Sequence, residues 1–178
     1  MSFDPGALIG IAIILTPPLF VAVIAILAFR HAEQPRDTGW PLPLVSAVCA
    51  IGGATSALAW LTWEMGFSTY PNGSVEGPYG FWQLVGTASC ATAVCVVGAV
   101  FAQRPWTGAM AAAAATALAY ALAWALMMAP RDSTGLYGVG VLMIAVGGGL
   151  SLFAIGCVIA GIRTWRQKRW TMDFLARR

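Results

Sequence analysis

Five blocks of this chain contain no charged side chain: Ala7–Phe29, Pro41–Trp63, Phe81–Ala102, Trp106–Met128 and Leu136–Ile162. Each is long enough, at ~1.5 Å rise per residue, to cross a hydrocarbon core of ~30 Å as a helix. Helix is the economical choice, because a strand exposed to lipid leaves backbone groups unpaired. The separators carry turn formers: HAEQPRDTGWP after the first block, YPNGSVEGPYG after the second, QRP before the fourth and APRDSTG before the fifth. The pattern predicts an all-α integral membrane protein, a compact bundle of five transmembrane helices over residues 1–162. Residues 163–178 follow as a basic amphipathic tail.

Composition supports this. Of 178 residues, 59% are hydrophobic and 10% are charged, against about a quarter charged in soluble domains. There are too few polar residues to cover a soluble fold, and no length for a second domain. The start, MSFDPGALIG, lacks a basic n-region, so no cleavable signal peptide is expected. Arg outnumbers Lys nine to one and Ala is abundant, a bias associated with GC-rich bacterial genomes.

The formal charge of +3 does not indicate nucleic acid, because six of the ten basic residues lie from Arg163 onward. Alternating the five spans puts Arg30, Arg36, Arg104 and the tail on one side. Arg131 falls on the other with Asp4, Glu64, Glu76 and Asp132. By the positive-inside rule the amino terminus is outside and the carboxyl terminus cytoplasmic, in a bacterial inner (plasma) membrane. Trp40, Trp106 and Trp165 then fall at inner ends, and Trp60, Trp63, Tyr79, Trp82 and Tyr137 at outer ends, as interfacial aromatics should. In the tail, Arg163, Arg166, Lys168 and Arg169 alternate with Trp165 and Trp170, which suits lipid headgroups at the inner surface.

Small residues suggest how the helices pack. Ala111, Ala115, Ala119 and Ala123 recur every fourth residue in the fourth span, and Gly147, Ser151, Gly156 and Ala160 lie in the fifth. Small residues let backbones approach closely in lipid, so spans four and five are expected as a tight hairpin. A stripe left over could meet a second copy or another membrane protein. Pro17–Pro18 interrupts the first span, where a bend is expected.

Candidate chemistry is sparse. His31 is the only histidine, which excludes paired His ligation of haem within one chain. Cys49, Cys90, Cys95 and Cys157 form no CxxC or zinc spacing and read as small apolar residues. With no Gly-rich phosphate motif either, no metal and no cofactor is expected. Asn72-Gly73-Ser74 reads as a tight turn.

Glu64 draws attention because it follows Trp63 and lies one turn after Trp60. Carboxylates inside membranes are functional by default, but at a span boundary Glu64 can reach water while the two indoles cover its stem. It is expected to be exposed. The alternative is a pocket in which Glu64 meets Asp132 or Arg131, with Trp60 and Trp63 lining a ligand.

The segment Trp63-Glu64-Met65-Gly66-Phe67-Ser68-Thr69-Tyr70-Pro71 resembles the Trp-Glu and Tyr-Pro context of integral-membrane terpene cyclases, over about ten of the 178 residues. That family places an acid at the end of its second span to protonate an isoprenoid. The resemblance would make Glu64 the catalytic acid and Asp132 its partner, although members generally have seven spans. The favoured reading is a small non-enzymatic accessory or scaffold subunit acting through helix packing. The alternatives are a transporter or channel component and an intramembrane acid catalyst.

Overall fold

The computed structural model describes residues 5–62, 68–69, 75–76, 79–131 and 136–176, of which 68–69, 75–76, 168 and 170–176 are described by backbone alone. In chain order these form α1 (Pro5–Ala32), α2 (Leu42–Leu61), β1 (Ser68–Thr69), β2 (Val75–Glu76), α3 (Phe81–Phe101) and α4 (Pro105–Met128). A fifth helix follows in three continuous parts: α5 (Tyr137–Met143), a π-helical turn (Ile144–Gly148) and α6 (Gly149–Ala176). The two short strands pair antiparallel, Ser68 with Glu76 and Thr69 with Val75.

Five helices are long and apolar enough to cross a membrane: Pro5–Ala32, Leu42–Leu61, Phe81–Phe101, Pro105–Met128 and Tyr137–Gln167. Each coincides with one of the charge-free blocks. Five such helices suit a multi-pass membrane protein.

Helix ends follow local chemistry. Pro41 and Pro43 open α2 and Pro105 opens α4, where a missing N–H costs nothing. Gly80 precedes α3, and the Gln83 side chain reaches back to accept its N–H at 2.8 Å. The α1 helix continues through Pro17–Pro18, and just before them Thr16 donates to the Ala12 carbonyl at 2.6 Å. The basic tail does not turn to form a separate segment, since α6 runs unbroken from Gly149 to Ala176.

The centre of the bundle is α4. It packs against every other long helix, most extensively against α2 and the fifth helix. Half of its apolar stretch is buried, against 6% for α1. Its alanines meet glycines on the neighbours. A Cβ placed on Gly53 of α2 would overlap the Thr116 carbonyl and lie 2.9 Å from Thr116 Cα. One on Gly156 of α6 would stand 3.2 Å from the Ala109 Cβ. The expected pairing of the fourth and fifth spans is therefore present, and a second close contact, α2 on α4, accompanies it.

Around α4 lie Val45, Cys49, Cys95, Ala112, Ala117 and Leu152 as one cluster, and Ile11, Ala121, Ala125, Val141 and Ala145 as another. All four cysteines are free thiols. Thr116 Oγ1 is buried without a hydrogen-bond partner, alone among the buried side-chain N and O atoms of the described residues. The Cys49 thiol faces it across the α2–α4 contact, a weak donor that falls short of a hydrogen bond.

Candidate functional site

Most charged side chains of the described residues gather where α1 ends, α4 begins and α6 leaves the bundle. Helix ends leave backbone groups unsatisfied, and here distant side chains serve them. Glu33, just beyond α1, accepts the N–H groups of Trp106 (3.0 Å) and Thr107 (2.9 Å) and the Thr107 hydroxyl (2.8 Å). It therefore caps α4, whose own preceding residue, Arg104, makes no side-chain cap. Arg163 donates to the Ala99 carbonyl at 2.5 Å and the Ala102 carbonyl at 2.9 Å, closing α3. Arg104 Nη1 donates to the Arg30 carbonyl at the end of α1. A carboxylate at a helix start and guanidiniums at helix ends match the sign of the macrodipole.

The loop after α1 is stitched to the α3–α4 turn. Trp40 N–H donates to the Phe101 carbonyl at 2.7 Å, Gln103 N–H to the Trp40 carbonyl at 3.0 Å, and Arg36 N–H to the Gln103 carbonyl at 3.2 Å. Gly39 permits this with φ 123°, where a Cβ would lie 2.7 Å from the Phe101 carbonyl oxygen. The Trp40 and Phe101 rings stack with centroids 5.1 Å apart. Arg36 reaches Gln167 of α6 at 2.5 Å. Burial pulls the Arg36 guanidinium pKa down, and the neighbouring Glu33 charge partly restores it.

At the opposite end an aromatic and hydroxyl cluster fills the space between α2, α3 and α4. Thr87 bonds the Ser56 carbonyl at 3.2 Å and the Tyr120 hydroxyl at 3.0 Å. The Trp124 indole donates to the Tyr79 hydroxyl at 3.1 Å, and that hydroxyl approaches Met128 Sδ at 3.3 Å. Burial raises the Tyr79 pKa; the Trp124 hydrogen bond and the Arg131 charge pull it back. Of the residues singled out from sequence, Trp60 packs on Gly86 and donates its indole N–H to Cys90 Sγ at 3.3 Å. Arg131 lies near Tyr79. Trp63, Glu64 and Asp132 lie outside the described residues.

Between the two ends, a nearly all-apolar groove of about 460 Å³ opens between α1 and the fifth helix, with α4 as its floor. Pro17 and Pro18 of α1 line it together with Val146 and Gly149 of the fifth helix and Ala114 and Leu118 of α4. The proline pair and the π turn therefore border the same groove. π turns recur at functional positions. The Gly147–Gly149 triplet was the signal for this one.

The small residues divide. Ala111 and Ala123 are buried on α4, with Ala115 and Ala119 half-buried. Gly156 and Ala160 are buried on α6, but Gly147 and Ser151 are exposed, with nothing within 4 Å of a Cβ placed on Gly147. Among the tail cations grouped as headgroup contacts, Arg163 is instead turned inward to cap α3. Arg166 is exposed, and Arg169 stands 4.0 Å over the Trp165 ring. The Lys168 side chain lies outside the description. Glu33, which ties the loop after α1 to the start of α4, was not singled out from sequence; an acid in a loop otherwise marked by Arg30, His31 and Arg36 was its signal. No protein-family model, no curated protein and no solved structure matches the chain.

Proposed function

We propose that the chain is a bacterial plasma-membrane protein, amino terminus outside and carboxyl terminus cytoplasmic, serving as a non-enzymatic accessory or scaffold subunit. The observation that carries this reading is the outward face of the fifth helix. The alanine stripe of α4 is buried or half-buried within the bundle, whereas Gly147 and Ser151 face outward and a Cβ on Gly147 meets nothing within 4 Å. Small residues one turn apart let a second helix approach closely in lipid, where packing holds helices together. A second copy or another membrane protein would seat there.

Native electrophoresis in mild detergent checks the docking. The wild type should migrate above its 18.7 kDa monomer, and Gly147→Leu should return it to monomer while leaving the fold intact. A wild type that runs as a bare monomer both when purified and when freshly solubilised from its own membranes sinks the reading.

The orientation rests on nine of ten basic residues falling on one side of the alternating spans. Reporter fusions after Gly73 and after Arg178 should report opposite compartments, Gly73 outside. Finding both on the same side would refute it.

A further inference from the structure

We propose that the basic end of the bundle holds a phosphate-binding site built on Arg30 and Arg104, separate from the cations of the tail. Two cavities adjoin there, one of about 290 Å³ and a more open one of about 600 Å³, and both are walled by Arg30, Pro35 and Arg104. The two arginines therefore stand at the junction of the cavities. The smaller volume is near the lower end of ordinary ligand pockets and suits a headgroup-sized anion.

Arg104 is preorganised. It is half-buried, and one of its N–H groups is fixed on the Arg30 carbonyl. A guanidinium has several donors in one plane, so the others remain to meet phosphate oxygens in pairs, the geometry in which Arg surpasses Lys. Arg30 supplies the second cation from an exposed position, with His31 beside it on the wall of the open cavity.

The one carboxylate on these walls, Glu33, would repel an anion if its charge were free. Its oxygens instead accept three hydrogen bonds from the start of α4, so its charge is answered by that helix end. The start of α2 adds to the same field. Leu42 and Pro43 line the smaller cavity, and α2 begins without a side-chain cap. Trp40, Pro41 and Leu42 give that cavity an apolar wall beside its cations, suited to the glycerol and ester stem of a phospholipid. The shared chemistry is a phosphate group, carried as an ester by a lipid headgroup or free in solution.

The test uses the full chain in neutral detergent, with thermal midpoint read against inorganic phosphate and, separately, against dihexanoyl phosphatidylglycerol, at ionic strength held constant with chloride. A saturable rise is expected with at least one probe. Arg30→Gln keeps the backbone carbonyl that fixes Arg104, and should raise the half-saturating concentration roughly tenfold or more, the loss of a charge-assisted pair. Arg131→Gln, a matched loss of charge beyond the far end of α4, should leave the response unchanged. A rise with the lipid alone assigns the site to headgroups; a rise with both assigns it to phosphate from either source. No saturable rise with either probe, or a rise that Arg30→Gln leaves intact, overturns the proposal.

Discussion

Gly53→Ala should lower the thermal stability of the protein in detergent, although alanine is the better helix former. Two effects oppose one another. Replacing Gly by Ala within a helix gains about 0.8–1 kcal/mol. At Gly53 the added methyl would overlap the Thr116 carbonyl of α4, and overpacking costs roughly 1–3 kcal/mol. The obstacle is backbone, which cannot swing aside as a side chain can, so the upper part of that range applies. The net expectation is a loss of roughly 1–2 kcal/mol, read as a lower unfolding midpoint. Gly161→Ala is the matched contrast. A Cβ there meets nothing within 4 Å, so only the propensity gain remains and stability should hold or rise. If Gly53→Ala is as stable as Gly161→Ala, α2 and α4 are not in contact at this point.

The second large effect is expected at Glu33. Glu33→Ala removes three hydrogen bonds at the start of α4. Loss of an N-terminal cap costs about 0.5–2 kcal/mol, and loss of a favourable charge at a helix start adds about 0.3–1 kcal/mol. Because Glu33 is half-buried, a total of about 2 kcal/mol is expected. Glu33→Gln keeps one acceptor oxygen and should recover part of it. Hydrogen exchange separates a cap from a general stability effect. The amides of Trp106 and Thr107 should exchange faster in Glu33→Ala, ahead of those deeper in α4. Unchanged protection at both amides would show that the carboxylate does not hold this helix end.

The five helices were legible in the sequence because charge marks the edges of a span sharply, and every gap between blocks contains Arg, Asp or Glu. Which faces meet was harder to read. Hydropathy gives a helix no inward direction when lipid is as apolar as the interior, and α4 is alanine on nearly every side. The alanines mark the fourth and fifth spans, while nothing in the pair Gly52–Gly53 identifies Thr116 as the residue that Gly53 packs against. The fifth helix had a readable clue. Gly147 and Gly156 are nine residues apart, about two and a half turns, so they lie on opposite faces and could not serve one packing stripe. Glu33 and Arg163 act across long stretches of chain, on helix ends whose positions only the fold brings together. Glu64 and Asp132, on which the catalytic alternative depends, lie outside the described residues.

The position of α1 has a consequence for biogenesis. Its partners are α4, α5 and the π turn, together with the Glu33 and Arg104 ties to the α3–α4 turn. None of these exists when α1 leaves the ribosome. At ~5–20 residues per second, several seconds of synthesis separate the end of α1 from completion of α4. In a chain inserted as proposed above, α1 waits through that interval as a solitary helix. A helix whose apolar faces are mostly exposed, with Ile11 its one buried residue among those described, is suited to such a wait. The bundle then closes from its centre outward: α2 and α3 can pair first, α4 docks on both, and only afterwards can the oldest segment of the chain find its place.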